Sequence, residues 1–147
     1  MNVSLHVEPN RSASESVRRR QSLVGVRLRK HADYARAYAA GRKRQSASMS
    51  WFLAPQPEPA GPPRLGLTAG KVLGKAHDRN KIKRRMREVL RRNIDLLPEG
   101  FDLILHPRRT VLTMEFTKLS AEILRILRQA SVEAEQVRKS AQARPTL

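Results

Sequence analysis

An α+β sandwich, one sheet with helices laid against it, is the fold this sequence predicts, and three observations predict it. The segment from Ala76 to Leu97 repeats its apolar residues at helical spacing. Short apolar runs at 49–53, 64–69 and 101–105 are bounded by proline and glycine. The elements follow in the order helix, strand, strand, helix, strand, helix, with no internal repeat.

Residues 1 to about 26 set serines among Arg11 and Arg18-Arg19-Arg20, with few large apolar side chains, and read as a disordered basic arm. A transit peptide is the alternative, opposed by Glu8 and Glu15. From Lys30 to Ala40 good helix formers run between Asp33, favourable in a first turn, and the stop signal Gly41. A basic turn, Arg42-Lys43-Arg44, leads to a strand at Met49–Leu53. Five prolines between 55 and 63 then form an exposed connection, and Arg64–Ala69 resumes as a strand.

In the segment Ala76–Leu97, Ile82, Met86, Val89, Leu90 and Leu97 gather on one stripe, and Pro98-Glu99-Gly100 ends the helix. The apolar run Phe101–Leu105 suits a sheet interior, with Pro107 closing it. A last helix is expected after Thr113, whose hydroxyl would cap it with Glu115 in the first turn. Its buried face is Phe116, Leu119, Ile123, Ile126, Leu127 and Ala130. The folded domain is thus 27–130, and the polar residues 131–147 are expected to fray.

The 147 residues are 39% hydrophobic and 4% aromatic, enough for a modest core, but the net charge of +17 far exceeds what solubility requires and points to a polyanion. The absence of cysteine excludes disulfides, thiolate metal sites and a Cys nucleophile, and fits a reducing cytoplasm. No run approaches the roughly 18 apolar residues of a spanning helix, so a soluble cytoplasmic protein with no membrane partner is expected. The four histidines show no metal-ligand spacing, and no catalytic Ser/His/Asp set can be assembled. A binder without a catalytic residue or metal site of its own is the expectation.

The charge is concentrated. Between His77 and Arg92 eight basic residues face two acids, a net of +6 in sixteen positions. At about 100° per residue, Lys81, Arg84, Arg87, Arg91 and Arg92 oppose the apolar stripe, with Arg79, Lys83 and Arg85 on its flanks. Like charges at i, i+3 and i+4 disfavour an isolated helix, and a polyanion turns that repulsion into binding. Arginine's planar fork suits phosphate oxygens, whereas Lys81 and Lys83 act as point charges.

The preceding Gly70-Lys71-Val72-Leu73-Gly74-Lys75 is a basic loop at a helix N-terminus, either an anion site or a simple turn, and it lacks the Gly-Lys-Ser/Thr ending of a P-loop. Tyr34 and Tyr38, four apart, either stack on single-stranded bases or belong to the core. Trp51 and Phe52 alternate across their strand, so one belongs to the core and the other can line the binding surface.

Taken together, Arg64-Leu65-Gly66-Leu67-Thr68, Lys71, the run Ala76-His77-Asp78-Arg79-Asn80-Lys81-Ile82-Lys83-Arg84-Arg85-Met86-Arg87-Glu88, and Leu97-Pro98-Glu99-Gly100-Phe101-Asp102-Leu103-Ile104 resemble the bacterial ribonuclease P protein component over residues 27–130. Upstream, Leu28-Arg29-Lys30, Tyr34, Tyr38 and Gly41 fit the same pattern. Two positions depart from it: Lys81 replaces an arginine of the Arg-Asn-Arg signature, and Val72 stands where a second lysine is usual.

The resemblance implies a mixed sheet of about four strands with three helices and a left-handed βαβ crossover through the basic helix. It implies that Lys71, Lys75, Arg79, Asn80, Lys81, Lys83, Arg84 and Arg87 contact a catalytic RNA subunit. A cleft with Tyr34, Tyr38, Trp51 and Phe52 as candidates would receive the 5′ leader of precursor tRNA. The implied activity is removal of that leader, with Mg²⁺ held mainly by the RNA subunit. DNA is not an expected partner; the alternative is a non-enzymatic rRNA-binding or RNA-chaperone protein.

Overall fold

The computed structural model describes residues 22–57 and 61–143. Most of the expected N-terminal arm and the middle of the proline-rich connection lie outside the described residues. Three helices, α1 (His31–Ala40), α2 (Ala76–Arg92) and α3 (Phe116–Ala143), accompany four strands, β1 (Arg42–Gln45), β2 (Met49–Pro55), β3 (Arg64–Leu67) and β4 (Phe101–Pro107).

The strands form one mixed sheet in the order β1-β2-β4-β3. β2 pairs antiparallel with β1 and β4, and β3 pairs parallel with β4. A parallel pair needs a crossover, and α2 supplies it, giving the βαβ unit that the resemblance implies. β4 is central and apolar, and six of its seven residues are buried. Outside β3, an isolated bridge pairs Arg27 with Leu65, and the Leu28 amide donates to the Leu65 carbonyl at 2.8 Å.

Strand alternation gives the sheet two different faces. On one, Met49, Trp51, Leu65, Leu103 and Leu105 meet Ile82, Met86, Val89 and Leu90 of α2 and Leu119, Ile123, Ile126, Leu127 and Ala130 of α3. On the other, Ala54 and Ile104 meet Leu28 and Ala37, with Tyr34 and Phe52 partly buried beside them. Helix α1 is tied to this second face by ions. Asp102, 1% exposed, receives a bidentate grip from Arg64 at 2.8 and 2.9 Å, Arg64 also reaches Asp33 at 3.0 Å, and Arg36 bonds Asp33 at 2.9 Å.

Four expectations are corrected. Arg42-Lys43-Arg44 is not a turn but most of edge strand β1, because its backbone completes the ladder of β2. Helix α2 stops at Arg92, where the Asn93 side chain donates to the Val89 carbonyl at 2.8 Å; Ile94–Leu96 tightens into a 3-10 turn.

Thr113 does not cap the last helix. Its amide closes a 3-10 turn on the Thr110 carbonyl, and α3 begins at Phe116, with Glu115 outside it. Residues 132–143 do not fray, since α3 continues to Ala143, and the rest of the expected tail lies outside the described residues. Ala134 is fully buried, the Ser131 hydroxyl donates to the Leu96 carbonyl at 2.9 Å, and Arg138 bonds the Glu99 carbonyl while lying over the Phe101 ring.

Candidate RNA interface

The buried stripe of α2 turns its opposite face outward. Asn80, Lys81, Arg84 and Arg87 are exposed, as are Lys71 and Lys75 of the leading loop, while Arg79 and Lys83 are half-buried at the flanks. The structure brings these eight candidate residues onto one helix and its entry. Not every cation of the helix is available, however. Arg85 turns inward and donates to the Val111 and Leu112 carbonyls at 2.9 Å and to that of Met114, capping the turn before α3. Arg91 and Arg92 share Glu88, whose carboxyl is held below the usual carboxylate range by hydrogen bonds from Arg91 and Arg92.

The entry loop is built to hold α2 open at its start. Lys71–Leu73 forms a 3-10 turn anchored by buried Leu73, and Val72 is 91% exposed. Gly74 adopts φ 116°, a conformation that side chains rarely take, and a Cβ there would lie 2.3 Å from Nη1 of Arg109. That guanidinium donates to the Leu73 carbonyl at 2.6 Å and to Asp78 at 3.2 Å, fastening loop to helix. No side chain caps the first turn of α2, so its amide groups add to the positive end of the helix.

A second site lies across the other face of the sheet. Tyr34 packs against β3, where a Cβ on Gly66 would come within 2.8 Å of its ring, and its hydroxyl donates to the Leu28 carbonyl at 3.2 Å. Tyr38, one helical turn on, meets Phe52 edge-on with centroids 5.0 Å apart and shares a hydrogen bond with Nε2 of His106 at 3.1 Å. Nδ1 of His106 is 2.6 Å from the Thr68 hydroxyl. Burial, and secondarily the charge of Lys43, hold the His106 imidazole below its usual pKa. Tyr34, Tyr38, Phe52 and His106 thus form one partly exposed aromatic cluster, the candidate cleft.

Trp51, expected as a candidate for this cleft, is corrected. At 1% exposure it sits in the core under α2 and α3, because adjacent strand residues face opposite ways and Phe52 takes the cleft side.

A model of the family described as Ribonuclease P matches residues 24–131. The chain belongs to the ribonuclease P protein family. It is 38% identical over 105 residues to the ribonuclease P protein component of Chloroflexus aggregans, covering 71% of this chain and 76% of that one. Its structure resembles the RNase P protein of Thermotoga maritima, with TM-score 0.60, 29% identity, and 70% and 96% of the two chains covered. It also resembles that of Staphylococcus aureus, with TM-score 0.62, 28% identity, and 73% and 96% covered.

Ribonuclease P proteins work with an RNA subunit in a ribonucleoprotein that processes tRNA, and both faces are to be read in that light. Sequence reasoning missed His106, Thr68 and Gly66 beside these rings. The period of two in β4, with Asp102, Ile104 and His106 on one face, carries a signal for His106, but only pairing with β2 sets it beside Phe52.

Proposed function

We propose that this ribonuclease P protein grips the catalytic RNA with α2 and its entry loop, and the 5′ leader of precursor tRNA with the cleft on the opposite face of the sheet. The observation that carries the reading is this division of labour: a dense row of cations on α2, and on the other face clustered aromatic rings with Lys43 and Arg27 near them. Phosphate-dense folded RNA suits the first surface, and unpaired bases that stack suit the second. Among the described residues, Nε of Arg79 is the one buried side-chain polar atom without a hydrogen-bond partner. An orphaned donor at the head of the basic face supports its use in assembly.

Mg²⁺ bound to the RNA subunit would supply the activated water and stabilise the leaving oxygen. Among the described residues no group of three His, Asp or Glu could hold a metal ion, and Asp33, Asp78, Glu88 and Asp102 are all engaged by arginine. The protein's own work is to screen repulsion between RNA segments and to hold the leader as a single strand. The test is cleavage of a precursor tRNA by a bacterial ribonuclease P RNA at low Mg²⁺, with and without the protein. Correct cleavage restored by wild type and lost with the double variant Arg79→Ala, Arg84→Ala is the expected result. Unchanged RNA affinity of the double variant would remove α2 as the assembly surface.

A further inference from the structure

A cavity of about 430 Å³, within the size range of small-ligand sites, opens at the outer edge of β3, between the segment before α1 and helix α2. Its apolar lining includes Leu65, Leu67 and Leu90, with Leu23 and Val24 on the side of the segment before α1, and three guanidinium groups, Arg27, Arg87 and Arg91, also line it. Leu65 and Leu90 are buried, whereas Arg27 and Arg87 are exposed and form no ion pair among the described residues. Arg91 is committed to Glu88. The third element is Tyr34, which contributes to this cavity and also to the cleft.

Two unpaired cations beside an apolar recess call for a ligand with an anionic end and a flat apolar body. A nucleotide has that chemistry: its base can enter between leucine side chains and the tyrosine ring, and its phosphates meet Arg27 and Arg87 bidentately. We propose that this cavity receives one unstacked nucleotide of the catalytic RNA, inserted between α2 and the segment before α1. The occupant comes from that RNA and not from the leader because Arg87 and Arg91 belong to α2. The inference rests on the reading of α2 as the assembly surface. Because Tyr34 serves cavity and cleft alike, an occupied cavity would steady one wall of the cleft.

The experiment uses the full chain assembled with a bacterial ribonuclease P RNA. Leu67→Phe fills the cavity with an apolar side chain, and Arg27→Ala removes a cation from an exposed position. Circular dichroism checks that both fold. Each is expected to weaken assembly by at least about fivefold, the low end of what one stacked base contributes. Chemical mapping should show one unpaired base shielded by wild type and reactive again with Leu67→Phe.

Identical mapping for wild type and Leu67→Phe would overturn the proposal, as would a loss seen only with leader-bearing substrate while assembly stays intact. If Arg79→Ala with Arg84→Ala also left assembly unchanged, the reading of α2 would fail as well. A loss in that double variant with none in the cavity variants would sink the cavity alone. With the free protein, adenosine 5′-monophosphate should shift the methyl resonances of Leu65, Leu67 and Leu90, and inorganic phosphate should not. Equal shifts from phosphate would reduce the site to a cluster of arginines and overturn it.

Discussion

At the scale of single residues, the buried carboxylates show why this basic chain spends acids where it does. Glu122, 3% exposed on α3, accepts hydrogen bonds from the Ser46 and Ser48 hydroxyls at 2.6 Å and from the Ser48 amide at 2.8 Å. Burial pushes its pKa up, but these bonds outweigh burial and hold it below the ordinary value of 4.5. Its stabilisation is therefore complete above the unfolded-state pKa and is lost as pH falls through the lower folded one. Glu122→Gln should cost about 1.5–3 kcal/mol in urea unfolding at pH 7, and the difference from wild type should shrink as the medium is acidified below the unfolded value. A pH-independent difference would show that the charge is not what matters. In the cleft, Tyr38→Ala should weaken precursor tRNA binding by at least about fivefold, as for one lost stacking partner, and leave mature tRNA unaffected. Equal losses for both RNAs would remove the cleft from leader binding.

Elements impose their own constraints. The basic face of α2 is tolerable because its other side buries Ile82, Met86, Val89 and Leu90 against the sheet, and burial of each such side chain contributes about 1.5–3 kcal/mol. That exceeds the few tenths of a kcal/mol per repelling pair on the exposed side. Helix α3 illustrates the reverse, a polar stretch kept helical by a handful of contacts. Truncation after Ser131 removes buried Ala134 and the Arg138 bridge to Glu99 and Phe101. It should lower the thermal midpoint by several degrees, about what 1 kcal/mol is worth in a domain of this size. An unchanged midpoint would mean that the last three turns contribute nothing to the domain. Helix α1 is held to the sheet through Asp33 and Arg36, which share Arg64 and Asp102, and Asp102→Ala, which leaves half-buried Arg64 with Asp33 alone, should cost about 1.5–3 kcal/mol in denaturant unfolding.

For the whole molecule, the charge of +17 sets how strongly RNA binding responds to salt. Arg84→Ala should lessen the slope of log affinity against log salt concentration by roughly 0.7–0.9, one phosphate contact; an unchanged slope would place Arg84 away from phosphate. The order of the elements other than β1, the buried stripe of α2, the basic face opposite it and the family were all legible along the chain, because a helix arranges its own residues by local geometry. The strand character of Arg42–Arg44 and the persistence of α3 to Ala143 were not, since both are stabilised by partners distant in sequence. The same holds for the cleft. Alternation already required Trp51 and Phe52 to part, but only the register of β2 against β4 decided which joined the core and set His106 beside Tyr38 and Phe52. The sequence by itself determined the helical faces, the charge and the kind of partner. Tertiary structure alone decided which side chains meet across strands, because those contacts join positions dozens of residues apart that no local periodicity relates.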